Sequence, residues 1–243
     1  MVLKLQKTLD NLLPDTIKLV ENVSQLDLSS KPIKVKVLGR SEVYKELKED
    51  KNYDSKNKLT NSLFTLGSSF QDLFCSVGSY NNSLERIRFI KENLGFKMSK
   101  KGLQTILAHE LVHVAQFRNF PDFMSRYVAS FHEQSKTKIQ IKNFEVYSSF
   151  IEYDANKIEK ELFPEQTIQP SISTAILSLG YFSCKSALSF ARFLPKQEDS
   201  SKICENKMEE LLENTNWKNS RKIIKGIYEL PEERFLELFY KKR

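Results

Sequence analysis

The chain has 243 residues, of which 40% are apolar and 28% charged, and it carries a net charge of +7. That length supports one sizeable core, or a core with an appended helical lobe, and the apolar content argues against intrinsic disorder. The positive excess is spread along the chain rather than gathered in a block, so it is solvated surface and no nucleic-acid partner is expected.

At the N-terminus, Lys4, Lys7 and Asp10 interrupt the leucines of residues 1–13, so no apolar signal core forms. Leu3, Leu5, Leu9, Leu12 and Leu13 recur at helical spacing; Pro14 is expected to end that helix, with a second short one following to about Asn22. Ile33-Lys34-Val35-Lys36-Val37 alternates apolar with lysine between Lys31-Pro32 and Leu38-Gly39, the pattern of a half-buried strand. Residues 41–49 are helical in pattern, and residues 50–61 form a polar, lysine-rich connection. Residues 70–80 are rich in Phe, Cys, Val and Tyr, Asn81-Asn82-Ser83 is turn chemistry, and Arg86-Ile87-Arg88-Phe89 alternates, which together predict a β-hairpin. Gly78, inside the first arm, marks either a bulge or a close backbone approach and suits an edge strand beside a cleft.

Ser99 is the expected N-cap of a helix whose apolar stripe is Leu103, Ile106, Leu107, Leu111 and Val114. On an adjoining face lies His109-Glu110-Leu111-Val112-His113, the HExxH pattern of zinc hydrolases, built from two of only three histidines in the chain. A helix turns about 100° per residue, so His109 and His113 sit one turn apart and both imidazoles can reach one metal ion. A catalytic zinc keeps one of its four positions for water and brings that water's pKa toward about 7. Glu110, about 100° round from His109, is placed to take the proton. One Zn2+ per chain is the expected cofactor.

Asn119-Phe120-Pro121-Asp122 breaks this helix, and Pro121 opens the next, which runs to about Gln134 and carries His132. Residues 144–162 form a second long amphipathic helix with Tyr147, Ile151, Ala155, Ile158 and Leu162 as its stripe. Zinc needs a third protein ligand, and a carboxylate on a packed helix is rigid enough to serve. Glu152, beside the stripe, is favoured, with Asn156 one turn later as a hydrogen-bonding support; Glu145, Asp154 and His132 compete, although Asp154 projects about 200° away toward the stripe. The uncharged run 171–184 is too short and too serine-rich to span a bilayer, so a buried helix is expected and no membrane span. Charged helical sequence follows from residue 198 to the end, with Trp217, Ile223, Ile224, Ile227 and Tyr228 as packing residues. Cys75, Cys184 and Cys204 are odd in number and lack CxxC spacing, which points to free thiols in a reducing, cytoplasmic compartment.

With these residues laid out, the sequence resembles zinc metallopeptidases of the gluzincin kind, in which HExxH is followed by a glutamate on a later helix. Glu152-Tyr153-Asp154-Ala155-Asn156 is similar to their third-ligand segment E-x-x-A-D, with Glu152 on the ligand and Asn156 departing from the usual aspartate. A narrower resemblance is to the zincin-like type 2 metallopeptidase family, carried by Gly78-Ser79-Tyr80, Arg86-Ile87-Arg88-Phe89, His109 to Phe117 with Gln116-Phe117, and Glu152 to Asn156. It covers residues 74–161. The resemblance implies an α+β, zincin-like fold with a small mixed sheet packed on the HExxH helix, and a peptidase acting on a peptide or protein substrate. Gly78, Tyr80, Tyr147, Tyr153 and His132 become candidates for substrate contact or oxyanion stabilisation. The organisation expected is an N-terminal helical extension (1–30), a catalytic core (31–163) and a C-terminal helical lobe (164–243), joined in one compact unit. A zinc-binding protein without turnover, and a hydrolase of some other amide or ester, stay open as alternatives.

Overall fold

The computed structural model describes residues 2–49, 77–82, 84–94, 98–133, 138–165 and 194–240. Within them the chain follows the order α1 (Val2–Ser24), β1 (Lys34–Leu38), α2 (Arg40–Glu49), β2 (Gly78–Asn81), β3 (Arg86–Ile90), α3 (Lys100–Asn119), α4 (Pro121–Glu133), α5 (Lys138–Leu162), α6 (Leu194–Leu212), α7 (Trp217–Tyr228) and α8 (Glu232–Phe239). It is an α+β arrangement, mostly helical with a small mixed sheet. The connection 50–61, the first part of the hairpin arm (70–76), the uncharged run 171–184, Cys75 and Cys184 lie outside the described residues. Cys204 is a buried free thiol, and no helix among the described residues is long and apolar enough to cross a membrane.

The expected break at Pro14 does not occur: α1 runs through it as one helix. Leu9, Leu12, Thr16, Val20 and Ser24 are buried in a stripe that continues across the proline, while Pro14 and Asp10 face solvent. Water can therefore solvate the Asp10 carbonyl, which proline leaves without its helical donor. An interior proline costs about 3 kcal/mol, whereas each buried leucine or valine contributes roughly 1.5–3 kcal/mol, so the stripe outweighs the break. Thr16 reinforces the turn, its hydroxyl donating to the Leu12 carbonyl at 2.7 Å.

In the sheet the order is β1-β3-β2, with β1 parallel to β3 and β2 antiparallel to it. Its two outer edges differ. Along β1, the Gln6 amide from α1 donates to the Val35 carbonyl and accepts from the Val37 N–H, both at 2.9 Å, closing the edge as a strand would. Along β2, no strand among the described residues pairs with the outer side. The register Gly78↔Phe89, Ser79↔Arg88, Tyr80↔Ile87, Asn81↔Arg86 is unbroken, so Gly78 is not a bulge. It is a close approach instead: a Cβ there would lie 2.9 Å from Ile106 Cγ2 and 3.2 Å from Glu110 Cγ.

Ser99 caps α3, accepting from the Gly102 N–H at 3.0 Å, and Leu103, Ile106, Leu107, Leu111 and Val114 are buried. Those residues, the inward side chains of β1 and β3, and Leu9, Leu12 and Val20 of α1 form one apolar core. A second core joins α4 and α5 to the C-terminal helices, with Phe123, Tyr147, Phe150, Tyr228, Phe235 and Phe239 linked by a connected set of ring contacts. Helix α5 starts at Lys138, before the sequence pattern becomes amphipathic at Phe144, and it belongs to both cores through successive stretches of one stripe, Val146 to Ile151 in the second core and Ala155 and Ile158 in the first.

Candidate metal centre

Helix α3 carries His109 and His113 one turn apart on the flank of its buried stripe, and α5 packs beside it with Glu152 opposite. The two imidazole Nε2 atoms are 3.2 Å apart, and each lies 3.4 Å from one Glu152 oxygen. Three donors around a tetrahedral ion, each about 2.0–2.1 Å from it, are separated by roughly 3.3 Å. The separations fit such an ion, and the group could hold one metal. The histidine side chains are only 18% and 12% exposed whereas Glu152 is 52% exposed, so the imidazoles are fixed from below and the carboxylate closes the site from the solvent side.

Each imidazole is oriented through its far nitrogen. His109 Nδ1 lies 3.0 Å from Glu159 Oε2, two turns beyond Glu152 on α5, and His113 Nδ1 lies 2.9 Å from Gln116 Oε1. Carboxylate and amide oxygens accept, so both Nδ1 atoms carry the proton and both Nε2 lone pairs are left for a ligand. Without metal the cluster holds protons. Burial acts to lower the His109 pKa, but Glu152 and Glu159 overcome it and hold the ring well above its ordinary 6.5. His113 is raised likewise, burial being outweighed chiefly by Glu152. Desolvation acts to raise Glu152, yet the two imidazoles hold it well below the usual carboxylate range.

Glu110 is buried on the sheet-facing side of α3, with Gly78 of β2 directly against it. A larger residue at position 78 would occupy the space that Glu110 and the strand backbone share, which accounts for the glycine.

The other residues singled out from the sequence are scattered around this centre rather than gathered in it. Glu145 lies outside the donor cluster, and Asp154 is fully buried on the opposite side of α5 from Glu152. Asn156 is exposed; the hydrogen bonds expected of it are made instead by Glu159 and Gln116. It lines a shallow groove between α5 and α6 with Glu152, Tyr153, Lys157, Glu205 and Glu209. The Tyr153 hydroxyl is tied to Glu209 at 2.9 Å in that groove. The Tyr147 hydroxyl points the other way, to Glu232 at 3.2 Å in the aromatic core, and so does not face the metal ligands. Tyr80 is half-buried edge-on to Phe117. The His132 side chain lies outside the described ones. Glu159 and Gln116 were not assigned roles from sequence, although Glu159 follows Glu152 by two helical turns and Gln116 follows His113 by one.

No family model matches the chain, and no curated protein or solved structure matches it. What the site can do follows from its own residues.

Proposed function

We propose that the chain is a zinc-dependent peptidase of the zincin kind, with His109, His113 and Glu152 as metal ligands and Glu110 as general base. The observation that carries this is the convergence of two imidazole nitrogens and a carboxylate at 3.2–3.4 Å from one another, next to a buried glutamate and a strand edge that no other strand among the described residues pairs with. Zinc, when bound, supplies a Lewis acid that acidifies a water molecule and polarises a carbonyl. Glu110 then does the proton work, taking a proton from the water and delivering it to the leaving amine. Glu159 and Gln116 hold the imidazoles in the tautomer that binds metal. Gly78 lets the β2 backbone come within reach of the same space, where an extended peptide can pair with it.

The test is metal analysis of the purified protein together with cleavage profiling on a mixed peptide library. About one zinc per chain, and peptide cleavage abolished by Glu110→Gln, are expected. Full metal retention after His113→Ala overturns the ligand set. Zinc uptake with no cleavage of any peptide favours a binding protein, and turnover confined to a non-peptide amide or ester favours the other hydrolase class.

A further inference from the structure

Gln116 is fully buried one turn beyond His113. Its Nε2 donates to the Ile151 carbonyl at 3.0 Å and to Asp154 Oδ2 at 3.1 Å. A main-chain carbonyl can only accept, so the amino end of this amide is fixed, and its oxygen is turned to His113 Nδ1 at 2.9 Å. That oxygen in turn accepts only, which puts the ring proton on Nδ1 and the lone pair on Nε2, facing His109 and Glu152.

What holds the other end is equally well defined. Asp154 is fully buried; its Oδ1 is ion-paired with Arg221 Nη1, and its Oδ2 accepts from the Tyr228 hydroxyl at 2.9 Å as well as from Gln116. Arg221, also fully buried, donates through Nε to the Ser24 carbonyl at the end of α1. An unbroken line of hydrogen bonds thus runs from α1 through α7 and α5 to a metal-binding imidazole on α3.

We propose that Gln116 is a positioning residue for His113, and that Asp154, held by Arg221 and Tyr228, fixes the direction in which Gln116 acts, so that α7 sets metal affinity at a site it does not touch. The proposal rests on the ligand set given above and is independent of whether the protein hydrolyses anything. The substitution Asp154→Asn discriminates sharply. Arg221 has only donors to offer, so the introduced amide must turn its oxygen to Arg221 and its amino group toward the Gln116 amino group. Two donors then face each other, and Gln116 keeps its place only by losing a bond or by flipping its oxygen against the Ile151 carbonyl.

The experiment measures zinc affinity by competition with a chromophoric chelator, and the protonated ring nitrogen of His113 by 15N NMR, which three histidines in the chain make tractable. Gln116→Leu and Asp154→Asn are each expected to weaken zinc binding by about 10- to 100-fold. Val43→Ala, a core change in the separate cluster of Leu38, Val43 and Ile90, serves as the control and is expected to leave zinc affinity within about twofold while lowering thermal stability. Zinc binding at the parental level in folded Gln116→Leu overturns the proposal, as does an equal loss in Val43→Ala. Should neither relay variant fold, the parent protein decides alone: a hydrogen-bonded Nδ1–H on His113 is required, and Nε2–H in the neutral ring refutes it. If the parent takes up no zinc at all, the ligand set falls, and the same His113 signal still reports on the relay.

Discussion

In the mechanism proposed above, Glu110 is the residue at which binding and chemistry separate. It is buried beside the cluster without being one of the three converging donors, so Glu110→Gln is expected to keep zinc and fold while lowering turnover by roughly 10²- to 10⁴-fold, read as kcat at saturating peptide. Parental kcat in that variant would remove it from the mechanism. The ligands themselves respond to pH in two opposite senses. An imidazole whose folded pKa is raised adds stability that is fully present below its unfolded value of about 6.5 and is lost as pH climbs through the folded value. Glu152, held low, adds stability that is present above 4.5 and lost as pH falls through its folded value. Metal-free protein is therefore expected to melt at progressively lower temperature as pH rises above about 6.5 and the imidazoles lose their protons. Zinc affinity is expected to climb over the same range, since binding must release those protons. A metal-free melting temperature that increases across that window would show that the imidazoles and Glu152 are not paired as described. Spacing on one helix was enough to name His109 and His113, and face and resemblance to a short segment to name Glu152, the three donors that the structure brings together. The roles of Glu159 and Tyr147 were not legible in the sequence, since they depend on how α5 packs against α3 and α8, and although Gln116 lies within reach of His113 on the same helix, the fixing of its amide by Ile151 and Asp154 of α5 was not.

At the scale of elements, β2 is where a substrate would be read. Val77 accepts from the Ile90 N–H through its carbonyl at 2.9 Å, so Val77 and, by antiparallel alternation, Ser79 turn their backbone groups toward β3. Gly78 and Tyr80 therefore present theirs to the outer edge, where no strand among the described residues pairs. A peptide pairing with that edge must meet them at every second residue, so N-methylation scanned along a cleaved peptide is expected to raise KM at alternate positions only. Uniform tolerance of N-methyl groups would exclude strand pairing. Gly78→Ala tests the same element from the other side. The added Cβ meets Ile106 and Glu110, neither of which can retreat far on a buried helix face, and an overpacking cost of about 1–3 kcal/mol is expected together with lowered kcat and normal zinc content. Ile106→Ala in the same chain removes the nearest atom and should restore part of the loss; no recovery would show that the clash is not what Gly78 avoids. The hairpin and the cap at Ser99 could be read from turn and capping residues because those signals are local. Pro14 misled for the complementary reason. Its local cost is real, but the stripe from Leu9 to Ser24 that overrides it exists only once α1 has a core to lie on.

At the scale of the whole molecule, α7 ties the two ends of the chain together. On successive turns Trp217 Nε1, Arg221 Nε and Lys225 Nζ donate to the carbonyls of Val23 and Ser24, the last groups of α1, and of Gln25 just beyond it, where the helix leaves carbonyls without intrahelical donors. Gln25 turns the chain there in the left-handed region, with φ of 56°. The charged C-terminal sequence gave a helix but no sign of this role, because an arginine among lysines looks like solvated surface until its partner, Asp154, is placed opposite it. The three contacts are not equal. Lys225 makes a solvent-exposed hydrogen bond at a helix C-terminus, worth about 0.3–1 kcal/mol. Arg221 is fully buried against a fully buried carboxylate, and removing one member of such a pair strands the other at a cost of about 3–5 kcal/mol. Arg221→Ala is thus expected to lower the denaturant midpoint several times more than Lys225→Ala, measured by urea unfolding of metal-free protein. Because Asp154 and Arg221 share one interaction, Asp154→Ala combined with Arg221→Ala should cost clearly less than the two single losses added, while Lys225→Ala should add to either. If Arg221→Ala costs no more than Lys225→Ala, or if the Asp154 and Arg221 losses simply add, the buried pair does not hold α7 to α1 and α5, and the line of contacts from the N-terminal helix to His113 is broken at its centre.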